Sequence, residues 1–136
     1  MVGRLIPLLA AFSVATPVFA EPTDFCIASK VDPSLDVIAK LKAANLDLAR
    51  PREISQLFLG PDKKLSALVP VIEGFGYVVR ERANGRLLAV TTTAVSDDWV
   101  RITVPKMCAA AAKDSVDYDG WDIDVANDHI PSNRSN

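Results

Sequence analysis

Residues 77–93 read YVVRERANGRLLAVTTT, and this stretch holds the strongest local folding signal in the chain. Two runs rich in β-branched and apolar residues flank Asn84-Gly85. An Asn-Gly pair between two such runs is the strongest short-range signal for a two-residue β-hairpin. We therefore predict strands at residues 77–82 and 86–93, joined by a tight turn.

Further strand and helix patterns lie on both sides of this hairpin. A strand is predicted at residues 53–59, with Ile54 and Phe58 on one face, followed by a helix from the turn at residues 60–62 to Gly74 and Gly76. Ser96 is predicted to cap a third helix, and a last strand spans residues 118–125. The order βαββαβ predicts an α+β, ferredoxin-like sandwich: a four-stranded antiparallel sheet with two helices on one face.

An extra helix is predicted before this unit. Asp32-Pro33 offers an N-cap followed by proline at the first helical position, and apolar residues recur at helical spacing up to a stop at Asn45. Prolines also fall within both later helices. Pro70 is expected to kink or shorten the second helix, and Pro105 makes the first half of the third a weaker prediction.

The first 20 residues have the pattern of a secretory signal peptide. Arg4 is followed by an apolar run over residues 5–14 and a small-residue exit ending in Val18 and Ala20. The apolar run is shorter than the roughly 20 residues that span a bilayer. We expect cleavage between Ala20 and Glu21, export, most simply to a periplasm, and no stable membrane insertion afterwards. Residues 21–32 would form an N-terminal extension, residues 33–125 the domain, and residues 126–136 a polar tail.

The charge balance bears on the class of partner. The chain has 15 basic and 17 acidic residues and a formal net charge of −2, and loss of Arg4 with the leader would make it more negative. Nucleic-acid binding needs a concentrated basic surface, so nucleic acid is not an expected partner.

The two cysteines, Cys26 and Cys108, are most simply a disulfide in an exported chain. Unpaired thiols are the main alternative. A redox or metal site is the least favoured interpretation of the two cysteines, since the chain has no Cys-x-x-Cys pair and its only histidine, His129, lies in the tail.

Two groups of charged residues are candidate binding sites. The aspartates at positions 117, 119, 122 and 124 lack the spacing of a calcium loop, and strand alternation explains them better. The arginines at positions 50, 52, 80, 82 and 86 form the main basic group. In the register set by the hairpin turn, Arg80 and Arg82 share a face with Leu87, Ala89 and Thr91. We expect these arginines to pair with Asp122 or Asp124, with a protein-binding face at Arg80 and Arg82 as the second reading.

No motif predicts catalysis. A single tail histidine does not provide a Ser/His/Asp arrangement, and no phosphate loop, zinc-binding helix or nucleophile elbow occurs in the sequence. The sequence therefore predicts a protein that is not an enzyme and that has no cofactor and no metal site.

Two stretches resemble the regulator of ribonuclease activity B family. Residues 45–54, NLDLARPREI, are similar to that family's Gly-Asp-x-Leu-x-x-Pro-Arg-x-Val entry into its first strand, with Asn45 where glycine is usual. Residues 117–121, DYDGW, are similar to its Glu-Tyr-Asp-Gly-Trp block, and Gly76-Tyr77 also fits. The resemblance covers about residues 33–125 and implies a ferredoxin-like domain that regulates an endoribonuclease by protein contact, without catalysis.

The endoribonuclease that this family regulates is cytosolic, so export would separate this chain from it. We therefore expect a small, noncatalytic, exported bacterial protein that binds another protein of the cell envelope. One alternative is a cytosolic ribonuclease regulator, if the leader is misread, and another is a structural envelope protein without a dedicated partner. The block Tyr118, Asp119, Gly120 and Trp121 is expected to be a signature of the fold: Gly120 would allow a bulge and Trp121 would fill the core between sheet and helix.

Overall fold

The computed structural model describes the backbone of residues 7–126 and 128, and the side chains of residues 23–126 and 128. Its elements in chain order are α1 (Pro7–Ala43), β1 (Arg52–Leu59), α2 (Asp62–Gly74), β2 (Val78–Ala83), β3 (Arg86–Thr93), α3 (Asp97–Lys113) and β4 (Asp117–Ile123). After α1, this is the predicted βαββαβ order.

The four strands form one antiparallel sheet in the order β2-β3-β1-β4. This is the strand order of a ferredoxin-like sandwich, so the predicted α+β fold class is confirmed. Strands β1 and β3 are central, whereas β2 and β4 lie at opposite edges. Side chains of these two edge strands are therefore separated by three strand spacings, roughly 14 Å.

The hairpin at Asn84-Gly85 forms as predicted. Asn84 has a φ of 57° and Gly85 a φ of 77°, and two consecutive positive φ angles are the mark of a type I′ turn. The turn pairs Ala83 with Arg86 and Arg82 with Leu87. The right-handed twist of such a turn matches that of the two strands it joins.

Buried and partly exposed residues alternate strictly along β1, and this alternation shows which face of the sheet carries the core. Its even-numbered residues are buried, and Ile54 and Phe58 are fully buried, as predicted. The odd-numbered residues face the open side of the sheet and are partly exposed. Helices α2 and α3 cover the buried face with further fully buried side chains, which include Leu65, Leu68, Ile72, Val100 and Val104.

Helices α2 and α3 both continue through an internal proline. Helix α2 runs past Pro70 to Gly74, so shortening at Pro70 was a wrong expectation, whereas the predicted end at the glycines is confirmed. Helix α3 begins at the predicted cap, where the Ser96 hydroxyl accepts a hydrogen bond from the Trp99 amide, and passes Pro105. Burial of apolar residues on both sides of each proline offsets the missing backbone hydrogen bond.

The predicted start of the first helix at Asp32-Pro33 is wrong. Helix α1 is already continuous from Pro7 and ends at Ala43, next to the predicted stop, where Asn45 has a φ of 63°. The reason is an apolar stripe that begins before Pro33: Ile27 and Val31 pack against the core together with Leu35. Tertiary packing overrides the local helix-start signal.

Part of the predicted leader lies in this helix. Residues 1–6 are outside the described residues, and residues 7–20 form the first part of α1, so the expected cleavage site at Ala20 and Glu21 falls within a helical segment. Among the described helices, none has a stretch long and apolar enough to cross a membrane. Of the predicted tail, Asn127 and residues 129–136, with His129, lie outside the described residues.

Candidate functional site

The Tyr118–Trp121 block is built around a β-bulge. In the pairing of β4 with β1, Phe58 lies opposite Tyr118 and Leu57 opposite Gly120, so Asp119 is an extra residue. Gly120 has a φ of 123°, a conformation that side chains other than glycine's rarely adopt. In a regular strand Tyr118 and Trp121 would point to opposite faces, and the bulge brings both to the core face. The expected bulge beside the tryptophan is thus present.

Trp121 joins three elements. Its indole nitrogen donates a hydrogen bond to the Ser34 hydroxyl of α1 at 2.8 Å. Its ring also meets Trp99 of α3 edge to face, with 4.9 Å between the ring centroids. Edge-to-face aromatic pairs are favourable beyond the area they bury. The block therefore holds α1 and α3 against the sheet edge.

A second set of contacts holds α1 near the bulge. The Lys30 ammonium donates to the backbone oxygen of Asp119 at 3.3 Å, and the Ser34 hydroxyl donates to the Lys30 carbonyl at 2.7 Å. The predicted disulfide between Cys26 and Cys108 is present, with 5.7 Å between the two Cα atoms. It links α1 covalently to α3. Helix α1 is therefore held by this covalent bond to α3 and by the hydrogen bond from Lys30 to β4.

These contacts border a groove of about 390 Å³, which we call the disulfide groove. Its walls come from residues 25–30 of α1, the last turns of α3, and the beginning of β4. They include Phe25, Cys26, Lys30, Ala111, Tyr118 and Asp119. Phe25 at its rim is 73% exposed, the highest fraction among the large apolar residues that the structure describes.

A buried polar chain lies beneath the groove. Gln56 is fully buried at the centre of β1; its amide oxygen accepts from the Tyr118 hydroxyl at 2.6 Å, and its amide nitrogen donates to the Tyr77 hydroxyl at 3.1 Å. Burial raises the pKa of Tyr118 far above its ordinary value, with a smaller contribution from Tyr77. Burial likewise raises the pKa of Tyr77, against a smaller opposite effect of Gln56. Sequence reasoning missed this chain because a glutamine in a strand predicts a solvent-facing position.

The expectation that Arg80 and Arg82 share one face is wrong. A second bulge makes Arg80 an extra residue between Val79 and Glu81. Arg80 therefore turns to the open face, where it bonds both carboxylate oxygens of Glu53, the shorter at 2.8 Å. Arg82 instead donates to the Ser66 hydroxyl of α2 at 2.7 Å.

The expected pairing of arginines with Asp122 or Asp124 is also not observed in the described part of the chain. Arg80 lies on edge strand β2 and the two aspartates lie at the opposite edge, beyond its reach. The observed partners are Glu53 for Arg80 and Glu81 for Arg86. The face that carries Leu87 and Ala89 is buried beneath the helices, so it is not the open surface that was expected.

Arg50 and Arg52, the other two arginines of the main basic group, anchor the chain beyond β4. Arg52, only 5% exposed, donates to both carboxylate oxygens of Asp128 at 2.9 and 2.6 Å. Arg50 lies 3.5 Å from the same carboxylate. The hydrogen bonds from Arg52 lower the pKa of Asp128, and the charge of Arg50 acts in the same direction. These arginines hold the segment after β4 against the start of β1.

Two of the clustered aspartates, Asp122 of β4 and Asp124 just after it, accept hydrogen bonds from nearby backbone amides. The Asp122 carboxylate accepts from the Ile123 amide and that of Asp124 from the Ala126 amide. Within the residues that the structure describes, no three potential metal ligands lie together.

No protein-family model matches the chain, and neither the curated proteins nor the solved structures include a match to it. The similarity to the regulator of ribonuclease activity B family therefore rests on the sequence motifs alone and remains a prediction.

Proposed function

We propose that this protein is an exported, noncatalytic binding domain that holds a partner protein of the cell envelope in the disulfide groove. The observation that carries the proposal is Phe25, whose 73% exposed ring stands at the rim of a groove of about 390 Å³. Aromatic residues at the centre of an interface contribute much of its binding energy.

The groove indicates the chemistry of the partner. Its floor is apolar at Ala111 and beside the disulfide, whereas Asp117 and Asp119 at its rim are exposed. Among the described residues of the groove wall the one lysine is Lys30, which already bonds the backbone of Asp119. A complementary partner segment would place one large apolar side chain in the groove and a lysine or arginine beside it.

The disulfide supports the proposed location. Bridges of this kind form and persist in oxidising compartments such as the bacterial periplasm and are rare in the cytosol. The signal-like leader points to the same compartment. Periplasmic residence is thus part of the proposal.

The motifs shared with the regulator of ribonuclease activity B family enter the proposal only as a mode of action. Binding a protein without catalysis is what the resemblance implies, and the proposed compartment requires a different target. The block Tyr118–Trp121 contributes by fixing α1, which carries Phe25, against the sheet edge.

Site-specific photocrosslinking tests the groove. A photoreactive phenylalanine analogue replaces Phe25 in the full chain, with Val78 as the control position, because it is a similarly exposed apolar residue on β2. We expect a specific envelope protein to crosslink from position 25 and not from position 78. The same protein, once purified, should bind Phe25→Ala about tenfold more weakly than the wild type.

Equal crosslinking from both positions, or unchanged affinity of Phe25→Ala, would show that the groove is not the binding site. Intact-mass measurement tests the location separately. A chain that begins at Met1 and carries two free thiols would exclude export and favour the cytosolic regulator. A structural envelope protein without a dedicated partner predicts no crosslink from either position.

A further inference from the structure

A second cavity lies on the other side of the core, between the end of β3 and helix α3. We call it the threonine pocket. It has a volume of about 220 Å³, and its polar lining includes Thr91 and Thr93 of β3, Thr103 and Lys106 of α3, and Tyr77. Phe75 and Trp99 also line it. It shares no lining residue with the disulfide groove, so the two sites can be tested separately.

The hydrogen bonds at the pocket show which hydroxyl protons are already used. The Tyr77 hydroxyl accepts from the Gln56 amide, and its own proton forms no hydrogen bond to a described residue. The hydroxyls of Thr91 and Thr93 each donate to a backbone oxygen, of Gly76 and of Ala94, at 3.2 Å. Tyr77 therefore presents a proton donor, whereas these two threonines have already used theirs.

Thr103 supplies a second unused donor at the pocket. The residue is only 9% exposed, and its hydroxyl takes part in none of the side-chain hydrogen bonds among residues 23–126 and 128. Buried polar groups in proteins are nearly always satisfied, and an unsatisfied one destabilises the fold. An acceptor bound in the pocket would satisfy the Thr103 hydroxyl.

The described residues that line the pocket carry only positive charge. The Lys106 ammonium lies 5.0 Å from the centroid of the Phe75 ring and forms no ion pair with any described residue. The described residues that line the pocket include no aspartate or glutamate. One cation and two hydroxyl donors in a mostly polar lining match a small anion such as a carboxylate.

We propose that the threonine pocket binds a small carboxylic acid as its carboxylate. Lys106 pairs with the carboxylate charge, Tyr77 and Thr103 donate hydrogen bonds to its oxygens, and Phe75 and Trp99 contact the apolar part of the ligand. The same chemistry is available from a free acid and from the C-terminal carboxylate of a peptide. This inference does not depend on the disulfide groove or its partner.

Titration followed by NMR of the ¹⁵N-labelled protein tests the proposal. Benzoate is the probe, and benzamide, which has the same shape without the charge, is the matched control. We expect benzoate to shift the amide signals of Thr91, Thr93 and Thr103 and the indole signal of Trp99. Benzamide should bind at least tenfold more weakly. Titration with an acetylated dipeptide acid and with its C-terminal amide distinguishes a chain terminus from a free acid as the natural source.

Two substitutions assign the donors. Lys106→Met keeps most of the side-chain length without the charge and should weaken benzoate binding about tenfold, whereas Lys63→Met, on the exposed start of α2, should leave it unchanged. Thr103→Val removes only the hydroxyl and should weaken binding severalfold. Equal affinity for benzoate and benzamide, shifts outside the pocket, no binding of benzoate, or unchanged affinity in Lys106→Met would each overturn the proposal. A thermal melt confirms that every variant is folded.

Discussion

The Trp121 indole donates a hydrogen bond to the Ser34 hydroxyl at 2.8 Å, across 87 residues of sequence. This bond connects the last strand to the first helix, and the helix carries both Cys26 and Phe25. The position of the disulfide groove therefore depends on a side chain from the Tyr118–Trp121 block.

A double-mutant cycle measures this connection. Ser34→Ala and Trp121→Phe each remove one partner, and we expect a coupling free energy of about 0.5–1.5 kcal/mol between them. Urea denaturation of the wild type, both single variants and the double variant gives the value. Additive losses would show that the hydrogen bond contributes nothing to stability.

The bulge at Gly120 predicts a backbone effect that is independent of packing. A Cβ at Gly120 would meet no heavy atom within 4 Å, but its φ of 123° is unfavourable for alanine. Gly120→Ala should lower the free energy of unfolding by about 1–3 kcal/mol. Gly74→Ala is the control: it is equally open but helical, and stability should stay the same or rise by up to about 1 kcal/mol. Similar effects of both substitutions would contradict the bulge.

The Cys26–Cys108 bridge should be a large stabiliser. It joins residues 82 positions apart, and in the chain-entropy model such a loop contributes about 4–5 kcal/mol. Reduction should lower the melting temperature of the wild type and leave a Cys26→Ala/Cys108→Ala variant unaffected. Alkylation of unfolded, unreduced protein should label neither cysteine, and labelling of both would refute the bridge.

The buried chain at Gln56 predicts a loss of stability at alkaline pH. The folded protein keeps Tyr118 protonated because burial raises its pKa, whereas the unfolded chain ionises it near its ordinary pKa of 10. The stabilising effect is complete below pH 10 and is lost as the pH rises towards the folded value. Tyr118→Phe should reduce this alkaline slope, leaving a smaller contribution from Tyr77.

Tyr118→Phe should also lower the stability at neutral pH. It leaves the buried Gln56 oxygen without its donor, which should lower the free energy of unfolding by about 1–3 kcal/mol. Guanidinium denaturation at pH 7 and at a series of pH values above 9 measures both effects. An unchanged stability at pH 7 would show that Gln56 finds another donor.

The Arg52–Asp128 pair predicts a loss of stability in acid. Because the hydrogen bonds from Arg52 lower the pKa of Asp128 below 3.8, its stabilising effect is complete above that pH and is lost as the pH falls through the folded value. Asp128→Asn should flatten the acid limb of the stability profile. Asp36→Asn, an exposed position on α1, removes the same charge without touching Arg52 and should leave that limb unchanged.

The reliable sequence predictions were those with local causes. Asn84-Gly85 determines its own turn, Ser96 caps its own helix, and the alternation around Ile54 and Phe58 marks the core face. Each signal acts within a few residues, so no knowledge of distant packing was needed. Together with the order of elements, they were sufficient for the ferredoxin-like fold.

The errors have distant causes. Asp32-Pro33 has the sequence of a helix start, but packing of Ile27 and Val31 keeps the helix continuous across it. The face of Arg80 depends on a single extra residue in β2, and alternation does not reveal where such a bulge occurs. The buried role of Gln56 depends on two tyrosines 21 and 62 residues away.

The disulfide groove also needed the three-dimensional arrangement. The sequence predicted the Cys26–Cys108 bond but not that α1 would lie along α3 and leave a cavity beside β4. Phe25 has no distinguishing sequence pattern, and its exposure becomes informative only next to that cavity.

The position of Cys26 has a practical consequence. It follows Glu21 by only five residues, and at the helical rise of 1.5 Å per residue the two lie roughly 8 Å apart along the axis of α1. If the leader is removed after Ala20, the free α-amine of the processed chain emerges close to Phe25. A fluorophore coupled to that amine would report occupancy of the groove in a protein whose amino-acid sequence is unaltered.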